Sequence, residues 1–117
     1  MSQTRDARIL ILYHSATGHT QLMADLVAEG ARSIPGTDVR LKNVEQATAE
    51  DLLWCDGIAA GCPTQMGTIS WQMKKWWDEV AQPLWPKIEG KIGCAFSSSG
   101  SVSGGGELTC MTLLIVL

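Results

Sequence analysis

Apolar and polar residues alternate along this chain in blocks, and the period changes from block to block. Ala7 to Tyr13 is almost continuously apolar, the pattern of a strand covered on both faces in a parallel sheet. Beyond Gln21, the residues Leu22, Met23, Leu26, Val27 and Ala31 recur at three- and four-residue steps. That spacing predicts an amphipathic helix with these side chains as its apolar face, ending near Ser33 before Pro35 and Gly36. Val39 to Val44 alternates apolar with polar, as a strand near a sheet edge does.

Thr48-Ala49-Glu50-Asp51 reads as a capping-box-like start to a short helix running through Trp54. Asp56 to Cys62 is a third strand of small residues, which requires something to pack closely on it, and it stops at Pro63. Ile69 to Val80 is a helical pattern in which Trp71, Met73, Trp76, Trp77 and Val80 give a broad apolar surface, with most of these tryptophans in core or interface. A Pro-containing connection, Gln82 to Gly90, leads to a fourth strand, Lys91 to Phe96. A loop rich in hydroxyls and glycine follows from Ser97 to Gly106, and Glu107 to Leu117 has the apolar density of a buried helix, although its β-branched content keeps a strand open. The order β-α-β-α-β-α-β-α is that of an α/β fold with a parallel sheet and helices on both faces.

The chemistry is concentrated where the first strand gives way to the first helix, at Ser15-Ala16-Thr17-Gly18-His19-Thr20. A turn of small hydroxylated residues into a helix brings backbone N–H groups, hydroxyls and the positive end of the helix dipole to one point. That point suits a phosphate held by neutral donors. For a single hydroxyl, plain helix capping is the better reading; three hydroxyls and a glycine within six residues favour the anion site. Neither the Gly-x4-Gly-Lys-Ser/Thr phosphate loop nor the Gly-x-Gly-x-x-Gly dinucleotide fingerprint is present there.

Composition narrows the classes. A chain of 117 residues is one domain, small for a doubly wound sheet. A net charge of −3 without basic clusters argues against nucleic acid as a partner. Cys55, Cys62, Cys94 and Cys110 form no Cys-x-x-Cys pair and have no nearby His, so no metal site is expected. Cys62 and Cys94 lie in apolar runs and read as core thiols of a reducing cytoplasm. The polar segment Met1 to Arg8 lacks a signal peptide's apolar stretch, and Met111 to Leu117 is too short to span a membrane.

In a sheet of this kind, ligands bind at the carboxyl ends of the strands. Three loops leave those ends: Ser15 to Thr20, then Pro63-Thr64-Gln65-Met66-Gly67, then Ser97-Ser98-Ser99-Gly100 with its glycine-rich continuation. They are expected to wall a single pocket.

Ser15-Ala16-Thr17-Gly18-His19-Thr20 resembles the flavodoxin-type FMN phosphate signature Thr/Ser-x-Thr-Gly-x-Thr. Pro63-Thr64-x-x-Gly67 and Ser97-Ser98-x-Gly100, followed by Gly104-Gly105-Gly106-Glu107, are similar to the flavin-ring loops of NAD(P)H:quinone oxidoreductases related to the tryptophan-repressor-binding protein. The resemblance implies a flavodoxin-like three-layer sandwich with strand order 2-1-3-4. It implies FMN held at its phosphate by Ser15, Ala16, Thr17, Gly18, His19 and Thr20, and at its ring and ribityl chain by Pro63, Thr64, Gln65, Met66, Gly67, Ser97, Ser98, Ser99 and Gly100. Trp85 would border the flavin. His19 takes a structural or phosphate-contact role, and no side chain need act as nucleophile, because the flavin carries the chemistry.

The function so implied is a cytoplasmic FMN-dependent oxidoreductase passing two electrons from NAD(P)H to a quinone, in a dimer or tetramer. The alternatives are a one-electron shuttle of the flavodoxin type and a non-catalytic interaction module. Two departures qualify the resemblance. Gln65 stands where Arg is frequent, which would stabilise flavin anions less. The chain is also expected to end inside the fourth helix, leaving out the fifth strand and its helix and exposing strand four as an edge.

Overall fold

The computed structural model describes residues 7–16, 18–65, 68–99 and 109–113. The order is β1 (Ala7–Tyr13), α1 (His19–Arg32), β2 (Thr37–Asn43), α2 (Ala49–Trp54), β3 (Gly57–Pro63), α3 (Trp71–Trp76) and β4 (Ile92–Ser98). Residues 109–113 are helical. The four strands form one all-parallel sheet in the order β2-β1-β3-β4, as expected.

The sheet's two faces bury separate clusters because strand residues point alternately to opposite sides. Leu10 and Leu12 of β1 face α2, α3 and residue 113, joining Leu52, Ile58, Met73, Trp76 and Leu113. Ile11 and Tyr13 face α1, packing with Ala24, Ala28, Val27 and Phe96. Leu10, Ile11 and Leu12 are wholly buried, each contributing about 1.5–3 kcal/mol. β1 is therefore the strand covered on both faces that its apolar run predicts.

The small residues of β3 have their counterpart in Phe96. Gly61 pairs directly with Phe96 in the register of β3 and β4, and a Cβ on Gly61 would overlap the Phe96 ring. The capping box also forms: the Thr48 N–H donates to Asp51 Oδ2 over 2.9 Å at the start of α2. α3 opens at Ser70, whose Oγ accepts the Met73 N–H at 3.3 Å. It then widens into a π turn (Trp77–Ala81) and tightens into a 3-10 helix (Gln82–Lys87). Pro83 has no N–H to give the preceding turn, so the α-helical ladder cannot run on past it. The connection expected over Gln82 to Gly90 is thus largely helical.

Two sequence expectations are corrected by packing. α1 meets the sheet through Thr20, Ala24 and Ala28, while Leu22 and Leu26 are about 60% exposed. The small side chains let the helix lie close to the sheet and turn the leucine pair outward. Cys94 is exposed, unlike buried Cys62, because no described element covers its part of β4. Of the tryptophans in the Ile69 to Val80 pattern most are core, as expected: Trp76 and Trp77 are buried in a T-shaped contact and Trp71 is exposed, as is Trp85 beyond them. Among the described residues β4 pairs only with β3, and Ile92 on it is 78% exposed.

Candidate functional site

β1 hands the chain to α1 through a turn anchored on β3: the His14 N–H donates to the Gly61 carbonyl over 3.0 Å. Ser15 Oγ then accepts two backbone N–H groups, from Gly18 at 3.1 Å and Gln21 at 3.2 Å. Gly18 sits at φ 96°, the left-handed region. A Cβ there would meet nothing within 4 Å, so the requirement for glycine is conformational and not one of space. Two amides at the start of a 14-residue helix without acidic residues in its first turn converge on one oxygen. That donor set fits a phosphate oxygen. The Ser15 hydroxyl uses it as a cap, so the capping reading and the anion reading describe the same amides.

The other loops are tied to this turn and to each other by hydroxyls. Thr20, on the first turn of α1 and 1% exposed, has its Oγ1 2.9 Å from Ser98 Oγ at the end of β4. Ser98 also accepts, on its carbonyl, the Thr64 N–H at 2.8 Å. Ser97 Oγ donates to the Cys62 carbonyl at 2.8 Å and lies 3.1 Å from Thr64 Oγ1, which in turn accepts from Thr109 Oγ1 at 3.0 Å. With Ser97 donating onward, the protons of this relay run in one direction, Thr109 to Thr64 to Ser97 to Cys62 O, leaving no hydroxyl with two donors competing.

The remaining expected positions fall as follows. Pro63 is the last residue of β3. Gln65 and Thr68 exchange both backbone hydrogen bonds, at 2.9 and 3.1 Å, and close the loop between them. Ala16 and Ser99 are exposed, and His19 opens α1 at an exposed position. Thr17, Met66, Gly67 and Gly100 lie outside the described residues. The structure brings Ser15, Thr20, Thr64, Ser97 and Ser98 to the carboxyl ends of the strands. It does not bring Trp85 there: Trp85 lines a cavity of about 360 Å³ with Gly90, Lys91 and Gly93, beside the start of β4 at the opposite end of the sheet. The 3-10 turn that carries Trp85 leads into the beginning of β4, which fixes it far from the loops.

Three contributors were not singled out from the sequence. His14 and Ser70 are both buried, with Nδ1 and Oγ 3.0 Å apart. Burial pushes the His14 pKa down, and Glu45 offsets part of that. Thr109 is fully buried and supports Thr64. Ser70 carried a signal, a hydroxyl just before a helical pattern; His14 and Thr109 carried none that separates them from ordinary core and loop residues. The Cys62 thiol is pushed up by burial, against hydrogen bonding from Ser70, so it stays protonated beneath the loops.

Residues 11–113 match the family model described as flavodoxin. The chain is 56% identical over 110 residues to a flavodoxin of Aquifex aeolicus, an alignment spanning 94% of this chain and 60% of that protein. It is 38% identical over 107 residues to a flavodoxin of Clostridium saccharobutylicum, covering 92% and 65%. Among solved structures, a flavodoxin, WrbA-like protein from Agrobacterium tumefaciens superposes with a TM-score of 0.80 at 32% identity, covering 94% of this chain and 71% of that one. The chain thus spans less than two thirds of the length of these two flavodoxins.

These relatives correct the expected function. They are named flavodoxins and not NAD(P)H:quinone oxidoreductases, so neither a two-electron NAD(P)H:quinone oxidoreductase nor NAD(P)H as donor stands. The physical reason lies in the loops themselves. A turn of hydroxyls and amides is what a phosphate demands whichever way electrons leave the cofactor, so these motifs carry no information about donor or acceptor. No helix among the described residues is long and apolar enough to cross a membrane. By its sequence match and its 2-1-3-4 parallel sheet, this chain belongs to the flavodoxin family.

Proposed function

We propose that this chain is one flavin-binding domain that holds FMN non-covalently and carries single electrons between protein partners. The observation that carries the reading is the convergence of the Gly18 and Gln21 amides on one oxygen, beside hydroxyls drawn from three loops. The flavin, when bound, supplies the redox chemistry. Ser15, Thr17, Gly18, His19 and Thr20 would hold its phosphate, with Ala16 in the same turn. Pro63, Thr64, Gln65, Met66, Gly67, Ser97, Ser98, Ser99 and Gly100 would border its ring and side chain. The phosphate seat is built from neutral donors, so the chain itself adds no buried cation to bias the flavin. Gln65 in the ring-side loop likewise adds no positive charge there.

The test is direct. Protein mixed with FMN and passed through gel filtration is expected to carry flavin absorbance with the protein peak, and to quench FMN fluorescence on titration. A colourless peak overturns the flavin reading. With FMN bound, NADH or NADPH alone is expected to be oxidised negligibly, and a flavoprotein reductase is expected to be needed to reduce the flavin. Rapid oxidation of NAD(P)H without a reductase would overturn the carrier reading.

A further inference from the structure

The loop from Pro63 to Thr68 has two ends, and they are held differently. Its near end is fastened to β4, through the Thr64 N–H on the Ser98 carbonyl and Thr64 Oγ1 beside Ser97 Oγ. Its far end enters α3 at Ser70, which is wholly buried and already accepts the Met73 N–H on its hydroxyl. The same hydroxyl hydrogen-bonds the Cys62 thiol within the core and, 3.0 Å away, meets Nδ1 of His14, its tie to the first turn. His14 belongs to a different part of the site. It follows β1 immediately, precedes Ser15, and is fixed by its own N–H to the Gly61 carbonyl.

We infer that His14 is a positioning residue: its ring hydrogen bond to Ser70 sets the far end of the Pro63–Thr68 loop relative to the Ser15–Thr20 turn, and thereby the affinity of a flavin held by both. This rests on the FMN reading above. A histidine that merely fills a core satisfies its ring within its own surroundings, and any apolar residue of similar volume can replace it. Here the ring instead bridges residues 56 positions apart, from the root of one ligand loop to the end of another. Burial makes that single contact stringent. Without His14 the Ser70 hydroxyl keeps the Met73 amide and the Cys62 thiol, but at a fully buried position no water replaces the lost bond, so the helix start that the loop runs into loses its tie to the first turn.

Three forms of the full chain test this: wild type, His14→Leu and His14→Asn. Leucine keeps apolar volume and removes the bond; asparagine retains a polar atom near the position of Nδ1. Without flavin, amide hydrogen exchange at Thr64, Gln65, Thr68 and Ile69 is expected to be faster in His14→Leu and restored in His14→Asn. With FMN, fluorescence titration is expected to give about tenfold weaker binding in His14→Leu, the equivalent of one lost buried hydrogen bond, and within about threefold of wild type in His14→Asn.

Unchanged exchange in His14→Leu, or unchanged FMN affinity, overturns the inference, as does failure of asparagine to restore either. A wild type that binds no FMN removes the functional reading, and the exchange comparison then decides the positioning alone. Should His14→Leu not fold, Ser70→Gly takes its place with the same expectations, since glycine at a helix start costs only a few tenths of a kcal/mol relative to serine.

Discussion

Thr20 and Ser98 stand 78 residues apart in sequence and 2.9 Å apart between their hydroxyl oxygens, joining the first turn of α1 to the end of β4. Both helix and strand are thereby fixed at the mouth of the sheet before any ligand arrives. Thr20→Val keeps the volume of a 1% exposed side chain and removes the bond. The expected loss is about 1 kcal/mol, seen as a fall in Tm of about 4 °C for a domain of this size. Thr20→Ser is expected to retain most of the stability. Equal Tm values for wild type and Thr20→Val in differential scanning calorimetry would show that the contact contributes nothing.

Gly61 and Phe96 make a second such pairing, and here the constraint is steric. Gly61→Ala is expected to cost about 1–3 kcal/mol by forcing the Phe96 ring aside. Because Phe96 adjoins Ser97, the displaced ring should also disturb the hydroxyl relay. Phe96→Leu is expected to relieve the clash, so that the double variant is more stable than the sum of the singles implies. Strict additivity in urea denaturation would mean that the two residues do not meet.

Asp51 links stability to pH. Its side chain is fully buried yet lies 2.9 Å from Arg40 Nη1 and 3.0 Å from Lys42 Nζ, and it accepts the Thr48 N–H. Burial pushes the carboxyl pKa up, but the Thr48 amide with Lys42 and Arg40 outweighs it, and the net shift is downward. A carboxyl with a depressed folded pKa contributes stability that is complete above its unfolded value near 4 and is lost as pH falls through the folded one. Wild type is therefore expected to lose stability on acidification below about pH 4 by more than Asp51→Asn does. The substitution itself is expected to cost about 2 kcal/mol at neutral pH. Parallel acid-unfolding curves for the two proteins would contradict this.

The parts of the fold that could be read from sequence are those where one interaction dominates. The apolar run of β1, the alternation of β2 and the Thr48–Asp51 capping box are each local, and each appears at the expected place. α1 was harder, since its apolar period is shared by Leu22–Leu26 and by Ala24–Ala28, and only the closeness of the sheet selects the alanines. The three loops could be named because small hydroxylated residues at strand ends are uncommon. The ties between them could not, because Thr20 with Ser98 and His14 with Ser70 are contacts between distant segments with no pattern in the chain.

The Ser15–Thr20 turn, proposed to seat the flavin phosphate, offers a separation of roles that a pair of variants can read. Ser15 Oγ accepts the Gly18 and Gln21 amides, so Ser15→Ala removes a cap and is expected to lower the stability of the flavin-free protein by about 1 kcal/mol. Thr17→Glu acts on the ligand instead. Residue 17 directly precedes Gly18, the cap of α1, in the sequence, and negative charge near a helix start is favoured, so folding is expected to be unharmed. The introduced carboxylate would repel a phosphate dianion and compete for its donors. FMN is therefore expected to co-elute with Ser15→Ala at reduced occupancy and to be absent from Thr17→Glu on gel filtration, while urea denaturation ranks the two apoproteins in the opposite order. Retention of FMN by Thr17→Glu at the wild-type level would mean that the phosphate sits elsewhere, and the flavin site would have to be sought away from α1.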